Sequence, residues 1–134
     1  MSLDSAIEEF QKSVPECVAA GLVDMKTGML MAIKTMDSHP QEVIDLTAAA
    51  TGDLFQGGNV TAIEKLFKKI RGVADDGHHY FQEIIVLSDN LIHVFQRCKR
   101  GDDMVSVTVC RVSANLGMVL TKARLGLPKV EAAI

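Results

Sequence analysis

With 134 residues, 48% hydrophobic and 23% charged, the chain falls in the range of one domain, residues 1–134, and can bury a core without metals or disulfides. A net charge of −3 argues against a broad nucleic-acid or anionic-membrane surface but leaves room for a local basic patch. No apolar run approaches the ~18 residues of a membrane span, so membrane insertion is not expected. The acidic start MSLDSAIEEFQKS is unlike a secretory signal, which predicts a cytoplasmic protein.

Leu3, Ile7 and Phe10 recur at helical spacing, and Pro15 disfavours helical geometry at Val14, predicting a first helix over Leu3 to Lys12. The stretch GLVDMKTGMLMA sets apolar runs on either side of a short loop. Asp24 can bond its own backbone and Gly28 can take positive φ, so strands Glu16 to Asp24 and Gly28 to Thr35 form a hairpin. Pro40 suits a first helical turn after Ser38, and QEVIDLTAAATGDLF continues as a second helix of roughly four turns until Gly57-Gly58 breaks it.

Thr61 with Glu64 fits a capping box, and Ile63, Leu66, Phe67 and Ile70 repeat at i, i+3, i+4, i+7, so a third helix ends at Gly72. Beyond the turn-rich GVADDGHH, the segments YFQEIIVL, LIHVFQRC and MVSVTVCRV read as three strands, joined at Ser88-Asp89-Asn90 and KRGDD. SANLGMVLTKARLGLP carries Leu116, Val119, Leu120 and Ala123 on one stripe, with Gly126 and Pro128 as stop signals for a last helix. The order α-β-β-α-α-β-β-β-α predicts an α/β sandwich: a central five-stranded, mainly antiparallel sheet with helices on both faces.

The second helix has more apolar surface than one sheet needs. At about 100° per residue, Val43, Leu46, Thr47, Ala50 and Leu54 form one stripe and Ile44, Ala48, Thr51 and Phe55 another, together spanning roughly 200°. The excess must meet either the third helix or a second protomer. Small residues Ala48, Ala49, Ala50 and Gly52 permit a close helix approach of the kind that closes a twofold dimer.

Reactive constellations are few. Cys110 with His93 is the best nucleophile and base pair, since a tight turn near Gly101 places them on adjacent strands; their apolar neighbours favour a buried cysteine beside a strand histidine. Cys17, Cys98 and Cys110 show no CxxC spacing and are expected to stay reduced and buried. His78, His79, Asp75 and Asp76 lack the ligand spacing of a structural zinc site. No GxxxxGK[ST] or GxGxxG occurs, so any nucleotide belongs to a partner. No catalytic residue, metal site or cofactor is expected. Lys65, Lys68, Lys69 and Arg71 make a basic face opposite the third helix's apolar stripe, either solvated or a docking patch for an acidic partner. Met25, Met29, Met31 and Met36 gather around the hairpin and are assigned no site.

The opening helix, the GLVDMKTGMLMA hairpin, the alanine-rich second helix, the three-strand meander and the closing ANLGMVLTKARLG helix together resemble the Roadblock (dynein light-chain type) family. The resemblance implies a profilin- and longin-like sandwich and a homodimer, in which second helices pack together and third strands pair. Carried onto this chain, the interface is Val43, Leu46, Thr47, Ala50 and Leu54 with the strand Tyr80 to Leu87, including Tyr80, Gln82, Ile84 and Val86. Bacterial relatives partner and regulate small Ras-like GTPases, and eukaryotic ones are adaptors in dynein and lysosomal scaffolds. The resemblance therefore implies a non-enzymatic homodimeric scaffold that modulates a small Ras-like GTPase. A ligand-sensing module, with a cavity between sheet and helices, and a structural adaptor subunit are the alternatives. One departure stands out: Thr61 to Arg71 is an additional helix where the family has a shorter connection.

Overall fold

In a computed structural model the chain forms α1 (Leu3–Ser13), β1 (Cys17–Asp24), β2 (Met29–Thr35), α2 (Gln41–Gln56), α3 (Gly58–Arg71), β3 (Glu83–Leu87), β4 (Leu91–Arg97), β5 (Met104–Arg111) and α4 (Leu116–Ala132). The structure describes residues 2–36, 41–75, 79–99 and 103–134, with side chains described except at 41–45. The expectations for Ser38, Pro40 and the turn at Gly101 lie outside these residues.

The five strands make one sheet in the order β2-β1-β5-β4-β3, and every pairing is antiparallel. The hairpin closes as its residues dictate: the Asp24 carboxylate accepts from the Lys26 N–H at 2.9 Å, and Gly28 takes φ +72°. A register shift at Leu22/Val23 leaves Met31 as an extra residue on β2, a bulge in the hairpin.

Each face of the sheet has its own core. Ile7 and Phe10 of α1 and Val119, Ala123 and Leu127 of α4 pack on Leu22, Val94 and Cys110. On the opposite face Ala48 and Phe55 of α2 meet Val23, Phe95, Val105 and Val107. Each fully buried Phe or Leu in these layers contributes about 2 kcal/mol relative to exposure.

Three expectations are corrected. The last helix does not stop at Gly126 or Pro128 but runs to Ala132, because Leu127 between them and Val130 beyond them are buried in the α1/α4 core. Gly126 is instead a close-approach residue: a Cβ there would lie 2.8 Å from the Phe10 ring. Second, α3 starts at Gly58 with Gly57 as its N-cap, so Thr61 sits inside the first turn and donates its hydroxyl to the Gln56 carbonyl. Third, β3 begins at Glu83, which leaves Tyr80 and Gln82 off the strand. Tyr80 N–H donates to Glu64 and the Gln82 amide donates to the His79 carbonyl, so both belong to the connection from α3.

Candidate interaction surface

The C-terminal half of α2 is pinned to the sheet. Ala48, Thr51 and Phe55 are buried, and Phe55 meets Phe95 edge to face with ring centroids 6.4 Å apart. Arg97 locks the corner: its guanidinium lies 5.1 Å over the Phe55 ring, and its Nε donates to the Phe81 carbonyl at 3.0 Å. The Gln56 side-chain amide also donates a hydrogen bond to the Met25 carbonyl at 2.7 Å. This orientation is forced by side-chain size, since Phe55 is the one bulky ring on the helix and needs the sheet to cover it.

With that stripe facing inward, the other faces out. Leu46 is 63% exposed, Thr47 and Ala50 are exposed, and Leu54 is half-buried; the side chain of Val43 lies outside the described residues. Next to this stripe the sheet itself is open. Register pairs align Val86, His93, Val109, Ala19 and Thr35 in one row across all five strands, on the face that α2 only partly covers. Beside Thr47 the His93, Val109, Ala19 and Thr35 part of this row lines an apolar trough of about 710 Å³. Its floor is low where β1 supplies the small residues Ala19 and Gly21, and a Cβ on Gly21 would stand 3.0 Å from the Ala32 carbonyl. The sequence pointed to a cavity between sheet and helices without locating it; the small-residue run AAG in β1 was the readable signal.

His93 lines the trough. Its ring stacks on Phe95 at an 8° interplanar angle, its Nε2 is 3.2 Å from the Ser88 hydroxyl, and burial holds its imidazole below the ordinary 6.5. At the sheet's margin β3 is an edge strand with Ile85, Val86 and Leu87 exposed, a strand whose outer backbone groups await pairing. Ile84 is half-buried under α2, beside the second core.

The Cys110 and His93 pairing does not occur. Cys110 stands opposite Ile92 and faces α1 and α4, whereas His93 stands opposite Val109 and faces the trough, so the sheet separates them. A hydrogen bond with Cys17 and burial push the Cys110 thiol up, and burial with the Glu131 carboxylate pushes Cys98 up to about 12. Such thiols are poor nucleophiles. Asp76 and His78 lie outside the described residues; Asp75 bonds Lys68, and His79 Nδ1 is 3.0 Å from Glu64 Oε1. Among the described residues no three His, Cys, Asp or Glu side chains converge as metal ligands do, and no helix is long and apolar enough to cross a membrane.

The basic face of α3 is corrected at Lys68. Lys68 is 5% exposed, with Nζ 3.0 Å from Asp75 and 6.0 Å from the Tyr80 ring, so it is an inner residue; Lys65, Lys69 and Arg71 remain on the surface. Glu64, 3% exposed, also points inward, and it is the apolar stripe of Ile63, Leu66, Phe67 and Ile70 that faces out.

No family model and no curated protein sequence matches the chain. Solved structures do match its fold. A Roadblock/LC7 domain from Streptomyces avermitilis superposes with a TM-score of 0.67 at 14% identity, covering 98% of this chain and 97% of that one. The gliding protein MglB from Thermus thermophilus gives 0.68 at 22% identity over 98% and 87% of the two chains, and Myxococcus xanthus MglB gives 0.68 at 17% over 97% and 92%. Superposition over nearly the whole of each chain shows that this chain has the Roadblock/LC7 fold.

Proposed function

We propose that this protein is a non-enzymatic, homodimeric regulator that binds a small Ras-like GTPase. The observation that carries the reading is the outward α2 stripe of Leu46, Thr47, Ala50 and Leu54, set beside an open apolar trough and an unpaired β3 edge. Two copies packed through α2 and β3 cover that surface and extend the sheet across a twofold axis. The resemblance in sequence pattern links this architecture to small Ras-like GTPases, and one neighbour of the fold is described as MglB with a tetrameric arrangement, which supports association between copies. Regulation then acts by binding: a rigid composite surface shifts the partner only by its differential affinity for the GTP and GDP states.

Light scattering on Ala50→Glu tests the dimer. The substitution places a carboxylate on an exposed α2 position, so the fold survives and the protein becomes monomeric; a dimer that persists moves the contact off this helix. Binding to nucleotide-locked GTPases tests the regulator, which must prefer one nucleotide state. Equal affinity for both states leaves a structural adaptor instead. The 710 Å³ trough also supports a ligand-sensing reading, which requires a copurified small molecule or a ligand-dependent rise in melting temperature.

A further inference from the structure

We propose that α3 is a docking element for an anionic lipid bilayer, with Ile63, Leu66, Phe67 and Ile70 seated among the headgroups and Lys69 and Arg71 at phosphate level. The inference is independent of the dimer and of any GTPase.

It begins with the inverted amphipathicity of this helix. A helix that serves only its own fold turns its apolar stripe inward. Here the stripe faces out, Ile70 is 72% exposed, and Val73 just beyond the helix is exposed as well. What faces in is Glu64 and Lys68, each satisfied by the segment that follows: Glu64 by His79 and the Tyr80 N–H, Lys68 by Asp75. Those bonds hold the helix by its polar side and leave the apolar side presented.

The charge follows the same logic. Gly58–Arg71 contains four cations and one carboxylate, a net +3, so the remaining 120 residues carry −6. Because the single carboxylate, Glu64, is buried, every exposed charge on α3 is positive. On the helical wheel the apolar stripe is about 100° wide, with Arg71 roughly 40° beyond Phe67 and Lys69 roughly 60° beyond Leu66. Cations on both flanks of an apolar arc reach the phosphates while the arc sinks into the acyl boundary. An anionic surface attracts this helix and repels the −6 body, which fixes the orientation of docking.

A bilayer fits this surface better than an acidic protein does. The stripe is convex and holds no hydrogen-bonding side chain, so it supplies apolar area without the polar address that selects a protein partner. Lipid asks only for area and charge, and a helix of about 21 Å lying in the interface provides both.

Flotation of the full chain with vesicles decides the matter. The wild type should float with vesicles of equal parts phosphatidylcholine and phosphatidylglycerol and stay behind with phosphatidylcholine alone. Leu66→Gln with Ile70→Gln should abolish flotation, and Lys69→Gln with Arg71→Gln should weaken it by roughly tenfold or more. Both double variants should keep the wild-type helical circular dichroism; if the first misfolds, the Lys69/Arg71 variant and a salt titration carry the decision. Wild type that ignores the anionic vesicles, or Leu66→Gln/Ile70→Gln that folds and floats undiminished, overturns the proposal. Vesicle-indifferent protein whose self-association is lost in that variant gives the stripe to a second copy, and vesicle-indifferent protein retained by poly-glutamate gives it to an acidic polypeptide. Either result overturns the bilayer.

Discussion

Glu64 and His79 meet at 3.0 Å across 15 residues of sequence, and the same carboxylate takes the Tyr80 N–H through its other oxygen. One buried acid thus fastens α3 to the approach of β3. Glu64→Ala leaves a ring nitrogen and a backbone N–H without their partner, and should cost about 1–3 kcal/mol of stability. Urea unfolding measures it; a midpoint equal to the wild type would show that the connection does not depend on this acid.

Arg124 forms a two-pronged pair with Glu83, with its Nε 3.1 Å from Oε2, and holds that carboxyl below its ordinary 4.5. A depressed carboxyl stabilises the fold above its unfolded value, so this contribution is intact at neutral pH and fades as pH falls from 4.5 through the folded value. The pair faces solvent, so the effect is small and salt-sensitive. Melting temperatures of wild type and Arg124→Gln should differ at neutral pH and converge in acid; a constant gap contradicts the linkage.

His93 has the same sign for a different cause. Burial in the trough depresses its pKa, so the neutral ring is favoured in the fold, and stability present above 6.5 is lost as pH falls through the folded value. Its surroundings are the Ser88 hydroxyl, Phe95, and Arg111 further along the trough, with no carboxylate among the described residues that line it. A partner covering the trough desolvates the ring further, so association should weaken in mild acid. His93→Gln should flatten that dependence in sedimentation runs across the pH range, and a profile unchanged by the substitution would remove His93 from it.

The thiols provide a probe of the cores. Cys17, Cys98 and Cys110 are buried, and Cys98 is pushed up to about 12. Native protein at neutral pH should consume almost no thiol reagent, and all three should react in denaturant. Fast labelling of any one without denaturant would mean that its core opens readily.

The sequence revealed layers more readily than directions. Strand alternation, Gly28 and the two stripes of α2 follow from spacing alone, because period and side-chain size state which residues share a face. Spacing does not say which face of α3 meets the protein. That depends on Asp75, His79 and Tyr80, partners supplied by an irregular segment with no period to read. Gly126 misled for a related reason: a glycine that ends a helix and one that admits the Phe10 ring are identical on paper. The trough arises from what β1 lacks, and missing bulk leaves only a faint trace in a pattern of apolar letters.

The central pairing of β1 with β5 has a consequence for biosynthesis. Gly21 lies opposite Val107, 86 positions later, so the first hairpin leaves the ribosome long before its inner neighbour exists. Until then one margin of β1 is a naked edge that other nascent chains can capture. Truncations within β5 should therefore yield insoluble product rather than a shortened protein, and a chaperone that shields the hairpin should raise the yield of the intact chain.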